Sequence, residues 1–234
     1  MVERRHVVAL LKLELVRQRK FTLRLFGSTL FMGAVFCLLG QHGASSLLAV
    51  SLGAGIVMAL IVPAGASRDK VEGTLEFLAA LPTPPAAIAT ARLVAVVLTT
   101  LPWAVLTAAA TPFALTMAHA HPVAATAVGA LLGAWLLYTL IGWVGTGLFL
   151  RYEPRRFLGY PLAVLLLAVV FLPKYVRLQI PAESAARLTW FVAQPWAPAV
   201  VALALVLLGG AVLAASLRLA VRGIELYRPD PTAR

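Results

Sequence analysis

The feature that most restricts what this chain can become is the recurrence of apolar runs, the most extended being residues 93–118 and 123–150. A helix of about 20 such residues crosses the roughly 30 Å hydrocarbon layer of a bilayer. Within that layer no water satisfies backbone N–H and C=O groups, so each crossing segment must bond to itself as a helix. Composition agrees: 61% of the residues are hydrophobic, 12% are charged and mean hydropathy is +0.91, which excludes an ordinary soluble domain. The expected fold is all-α: one polytopic integral membrane domain over residues 1–234, with six transmembrane helices at about 21–40, 47–66, 93–118, 123–150, 157–172 and 197–217.

The segments flanking these spans set the remaining plan. Residues 1–20 place Val7, Val8, Leu11 and Leu15 on one side of a helix and Arg5, Lys12 and Arg19 on another, which predicts an interfacial helix on anionic headgroups. Their charges interrupt any clean apolar core, so this start is expected to be no cleavable signal. Residues 173–195 mix Lys174, Arg177, Glu183 and Arg187 with Tyr175, Trp190 and Phe191, and are expected to form short re-entrant helices at the outer interface. Pro63 predicts a bend late in the second span, and Pro102 and Pro112 predict a bent third span. Gly129 and Gly133, then Gly142, Gly145 and Gly147, predict close helix packing, within one chain or between two.

The net charge of +11 would suggest nucleic acid in a soluble protein. Here topology explains it: seventeen of the twenty Lys and Arg fall on one side of a six-span plan, and the positive-inside rule makes that side, with both termini, cytoplasmic. The expected location is the bacterial or archaeal cytoplasmic (inner) membrane, with no nucleic-acid partner. The single cysteine, Cys37, excludes an internal disulfide and a cysteine-based metal cluster. His119 and His121 share an outer turn but lack a third ligand, so no metal is assigned to them.

Residues 67–92, SRDKVEGTLEFLAALPTPPAAIATAR, form the longest polar interruption in the first half of the chain. Val71, Leu75 and Leu78 fall at i, i+4 and i+7, while Arg68, Glu72 and Glu76 repeat every four residues on an adjacent stripe. This spacing predicts a short amphipathic helix at the membrane surface. Pro82, Pro84 and Pro85 end it, and Thr83 followed by Pro84 reads as the cap and first residue of the next helix.

This stretch resembles the cytoplasmic segment between the second and third spans of type 2 ABC-transporter permeases. The resemblance rests on Arg68-Asp69-Lys70-Val71, then Glu72-Gly73-Thr74-Leu75-Glu76, Leu78, Leu81-Pro82 and Arg92-Leu93, and on the six-span plan around them. It implies the transmembrane subunit of an ATP-driven exporter, paired with a second permease chain, the same or different, and with a separate ATPase subunit. ATP and Mg would sit on that partner and no cofactor on this chain. It also implies that Arg68, Asp69, Val71, Glu72, Gly73, Thr74, Leu75, Glu76 and Leu78 form a coupling helix (within a cytoplasmic segment at 67–85) seated in a groove of the ATPase. Glu72 and Glu76 would pair with the partner's charges, and Gly73 would permit close backbone approach.

Two alternatives stand beside this reading: a haem-exporter-like subunit of cytochrome c maturation, with a similar Gly-Thr-Leu-Glu and proline-rich continuation, and a membrane assembly subunit that transports nothing. The chain lacks a G-x-x-x-x-G-K-[ST] phosphate loop, H-E-x-x-H and G-x-S-x-G, so it is expected not to be an enzyme itself. No carboxylate falls clearly at mid-span in the six-span plan, which argues against an ion-coupled carrier.

Overall fold

A computed structural model describes residues 2–38, 41–117, 124–152 and 197–227. They form six helices, with no strand among them: α1 (Val2–Leu38), α2 (Gln41–Val71), α3 (Thr74–Ala80), α4 (Pro85–Met117), α5 (Ala124–Arg151) and α6 (Ala197–Glu225). Four stretches are long and apolar enough to cross a membrane, namely Val50–Val71, Pro85–Pro112, Ala127–Arg151 and Val200–Glu225. They carry the expected second, third, fourth and last spans. The expected fifth span at 157–172 and the outer segment at 173–195 lie outside the described residues.

The N-terminal region differs from expectation. The break expected between an interfacial helix over 1–20 and a span at 21–40 is absent: one uninterrupted helix of 37 residues carries both stretches. At about 1.5 Å per residue it is far longer than a bilayer is thick. The reason lies in its residues, since nothing before Gly27 is glycine or proline and the helix has no stop signal where a break was expected. The stretch 21–38 is not among the four spanning stretches.

The middle of the bundle is closed by large aromatic residues and by glycines that receive them. Trp103 of α4 and Tyr138 of α5 are fully buried with Met58 and Ala59 of α2, and Phe26 of α1 meets Trp103 edge-on at 5.6 Å between ring centroids. A Cβ on Gly55 would lie 2.1 Å from the Tyr138 ring, so the absent side chain is the notch into which Tyr138 fits. Trp143 and Trp135 donate their indole N–H groups to the carbonyls of Leu93 (3.0 Å) and Val97 (3.1 Å), tying α5 to α4.

Pro63 and the glycines of α5 prove to be one feature. Proline at 63 removes the donor that would bond the carbonyl of Ala59, one turn earlier in α2. A Cβ on Gly142 would lie 2.9 Å from that carbonyl oxygen, and one on Gly145 would lie 2.8 Å from the Pro63 ring. The glycines thus let α5 close onto the proline turn. Gly129 and Gly133 do something else: a Cβ there meets nothing within 4 Å. They line an apolar cavity of about 650 Å³ with Val97, Trp135, Thr139 and Gly209.

The α5 and α6 helices run parallel. Gly147 of α5 packs against Ser216 of α6, and further along, Gly223 packs against the carbonyl of Leu150.

Candidate docking site at the α2–α3 turn

The turn between α2 and α3 departs from the expected single amphipathic helix over 68–78. Arg68, Asp69 and Val71 belong to the last turn of α2, Glu72 and Gly73 form a turn, and only Thr74–Ala80 is the short helix. Gly73 causes the break. Its backbone is left-handed, with φ 72° and ψ 0°, a conformation open to glycine and strained for residues with a Cβ. Its carbonyl then accepts the Phe77 N–H at 3.2 Å, starting α3 in a new direction. At the other end α4 begins at Pro85, one residue later than the Thr83-Pro84 reading placed it, with the Pro84 carbonyl accepting the Ala87 N–H at 2.9 Å. Thr83 is buried.

The change of direction re-sorts the candidate residues. Leu75, Leu78 and Ala79 are buried against Ala66 of α2, Ile88 of α4, Leu150 of α5 and Ile224 of α6, so α3 is packed on the ends of four helices. Val71 was expected beside Leu75 and Leu78 but is 81% exposed, because it precedes the break and faces away. Phe77, which the spacing argument passed over, is 66% exposed. Glu72 and Glu76 are exposed and Thr74 is half-buried. Arg68 pairs with Glu72 at 2.5 Å, the i, i+4 contact that the spacing contains. At this exposure such a pair contributes little to stability.

Asp69 behaves differently from its neighbours. It is 1% exposed and accepts hydrogen bonds from the guanidinium groups of Arg17 in α1 and Arg92 in α4. The Arg92 side chain is itself 4% exposed, and its Nη1 has no partner among the described residues. Arg17, 34% exposed, also lies 3.7 Å from Glu72. The hydrogen bond to Asp69 and the nearby carboxylates hold the Arg17 proton more tightly than in free arginine, against the opposing effect of burial. Asp69 therefore faces the bundle interior and cannot touch a soluble partner directly. A second carboxylate, Glu14, is also buried, accepting from Gln18 at 2.8 Å.

The residue next to Asp69 reaches the opposite way. Lys70 donates to the Tyr152 carbonyl just past α5 at 3.0 Å, and its ammonium lies 5.5 Å from the centre of the Tyr227 ring just past α6. Neither Arg17, 52 residues from Asp69, nor Tyr152, 82 residues from Lys70, carries a local signal of these contacts. Phe77 had one, as a large apolar residue adjoining Glu76 on the outward side of the helix.

His119 and His121 lie outside the described residues, and among the described residues no three His, Cys, Asp or Glu side chains gather as a metal site. The fold and this end of it define a class: an all-helical protein, with four helices long and apolar enough to span a membrane and a short exposed helix carried on their ends. Comparisons with protein-family models, with curated proteins and with solved structures return no match.

Proposed function

We propose that the chain is the transmembrane subunit of an ATP-driven exporter of the type 2 ABC permease kind, and that the exposed side of the α2–α3 turn docks a separate ATPase subunit. The observation that carries this reading is the presentation of Glu72-Gly73-Thr74-Leu75-Glu76. Glu72 and Gly73 turn the chain into the packed helix α3 on the bundle end, and Val71 and Phe77 are left uncovered among Arg68, Glu72 and Glu76. Two exposed apolar side chains within a charged rim have the make-up of a small protein interface. Leu75 and Leu78 hold the helix to the bundle, Gly73 sets its direction, and Thr74 opens it.

In this reading the partner binds ATP and Mg, and two permease chains move a cargo along their shared interface across the bacterial or archaeal inner membrane, with both termini cytoplasmic. The parallel run of α5 and α6 supports a further crossing between them, in keeping with six spans. The apolar cavity beside Gly129 and Gly133 fits an apolar or amphipathic cargo.

The test is recovery of the ATPase with the tagged full-length chain from its own host. Phe77→Glu, Val71→Glu and Glu76→Arg are expected to lower recovery at least tenfold, because each places charge in an apolar contact or reverses one at its rim. Leu203→Ser, an exposed substitution on α6 far from α3, serves as the control. ATPase recovery unchanged in all three variants would remove the docking assignment.

A further inference from the structure

Asp69 and Lys70 are consecutive, so on a helix their side chains diverge by about 100°. In the last turn of α2 this divergence sends one charge to each side of the bundle. Asp69 is bonded to α1 through Arg17 and to α4 through Arg92. Lys70 is bonded to the residue after α5 and stacked on the ring of Tyr227, just after α6. All four neighbouring long helices are gripped by two adjoining residues, four and three positions before the left-handed turn at Gly73 that launches α3.

The arrangement also closes a loop. Residues 69–92 leave α2, form α3 and enter α4, and the Asp69–Arg92 pair joins the two ends. A force on the exposed side of α3 therefore cannot separate the ends of α2 and α4 without breaking a buried ion pair. Buried pairs are costly to break because one charge is left uncompensated. The Arg92 guanidinium bonds Asp69 through Nη2, and its Nη1 has no partner among the described residues, so the burial of this charge depends on Asp69. The far wall of this loop is anchored too, because Leu75 and Leu78 are buried in one cluster with Leu150 and Ile224.

We infer that the Asp69-Lys70 pair is a mechanical hub: it passes displacement of α3 to α1 and α4 through Asp69, and to the ends of α5 and α6 through Lys70. Arg17 and Arg92 are positioning residues in this scheme, acting through Asp69. The coupling is a property of this chain, whatever binds α3, and stands if no ATPase does.

The experiment perturbs α3 at its hinge and reads the response across the bundle. Gly73→Ala strains the left-handed turn while adding a Cβ where nothing lies within 4 Å. Amide hydrogen exchange of the full chain in lipid nanodiscs is then followed over residues 12–20 of α1 and 89–96 of α4. With Asp69 intact, Gly73→Ala is expected to change exchange in both windows by about tenfold. In the Asp69→Asn background the same substitution is expected to alter α3 alone. Arg17→Gln, which removes a partly exposed partner and leaves the Asp69–Arg92 pair, is expected to uncouple the α1 window and leave the α4 window responsive; it serves as the test if Asp69→Asn does not fold. An effect of Gly73→Ala confined to α3 in the native background would overturn the hub. So would equal effects in both windows in all backgrounds, which would mean that the ion pairs hold the fold without transmitting anything.

Discussion

Asp69 sits among residues whose charges face water, and nothing in its immediate neighbours distinguishes it. Its burial is a consequence of where two arginines on other helices happen to be. A buried pair adds little net stability when complete but is costly to halve, about 3–5 kcal/mol in systems where one partner has been removed. Asp69→Asn should therefore destabilise by about that amount, because Arg92 is left charged and unpaired. The double variant Asp69→Asn/Arg92→Gln should lose less than Asp69→Asn alone. Thermal unfolding in detergent checks this, and a double variant that is worse by the sum of the two singles would contradict it. Arg17 titrates above the ordinary arginine value. The stability linked to its proton is complete below the ordinary value and is lost as pH rises from there through the higher folded value, so the clamp should show no Arg17-linked pH dependence at any physiological pH.

Among the elements, α5 illustrates how one residue type serves two purposes. Gly142 is in contact with Val96 and with the Ala59 carbonyl that Pro63 cannot bond, and Gly145 with the Pro63 ring, whereas Gly129 and Gly133 face open space. Alanine at 142 should destabilise by about 1–3 kcal/mol through overpacking, while alanine at 133 should cost no more than a few tenths of a kcal/mol and improve helix propensity. Comparing the two melting temperatures separates the roles; equal losses would mean that the cavity beside Gly133 is filled by close contacts. The glycine spacing was legible in the sequence, but its division between contact and cavity was not, because it depends on which neighbour lies opposite each position. The same holds for α3. Its existence and its buried residues Leu75 and Leu78 follow from spacing, while the exposure of Val71 follows from the turn at Gly73, which a periodic pattern does not register.

For the whole molecule, the packing gathers the C-terminal ends of α2, α5 and α6 and the N-terminal end of α4 on one side, with α3 among them. Single cysteines introduced as Phe77→Cys and Leu226→Cys, both at exposed sites in a Cys37→Ser background, should label from the same side of the membrane with an impermeant maleimide. Labelling from opposite sides would be incompatible with this arrangement.

Composition and the length of the apolar runs were enough to require helices, because a backbone in hydrocarbon has no other way to satisfy its hydrogen bonds. Local spacing was enough to mark the α2–α3 turn as the polar, exposed feature of the chain. The outward stripe of Arg68, Glu72 and Glu76 was legible from that spacing, whereas only the tertiary structure decided where the charges between them go: Asp69 inward to Arg17 and Arg92, Lys70 across to the ends of α5 and α6. Local sequence sets the angle at which a side chain leaves its helix, but whether it meets water or a counter-charge depends on residues up to 82 positions away, brought near only when the helices pack.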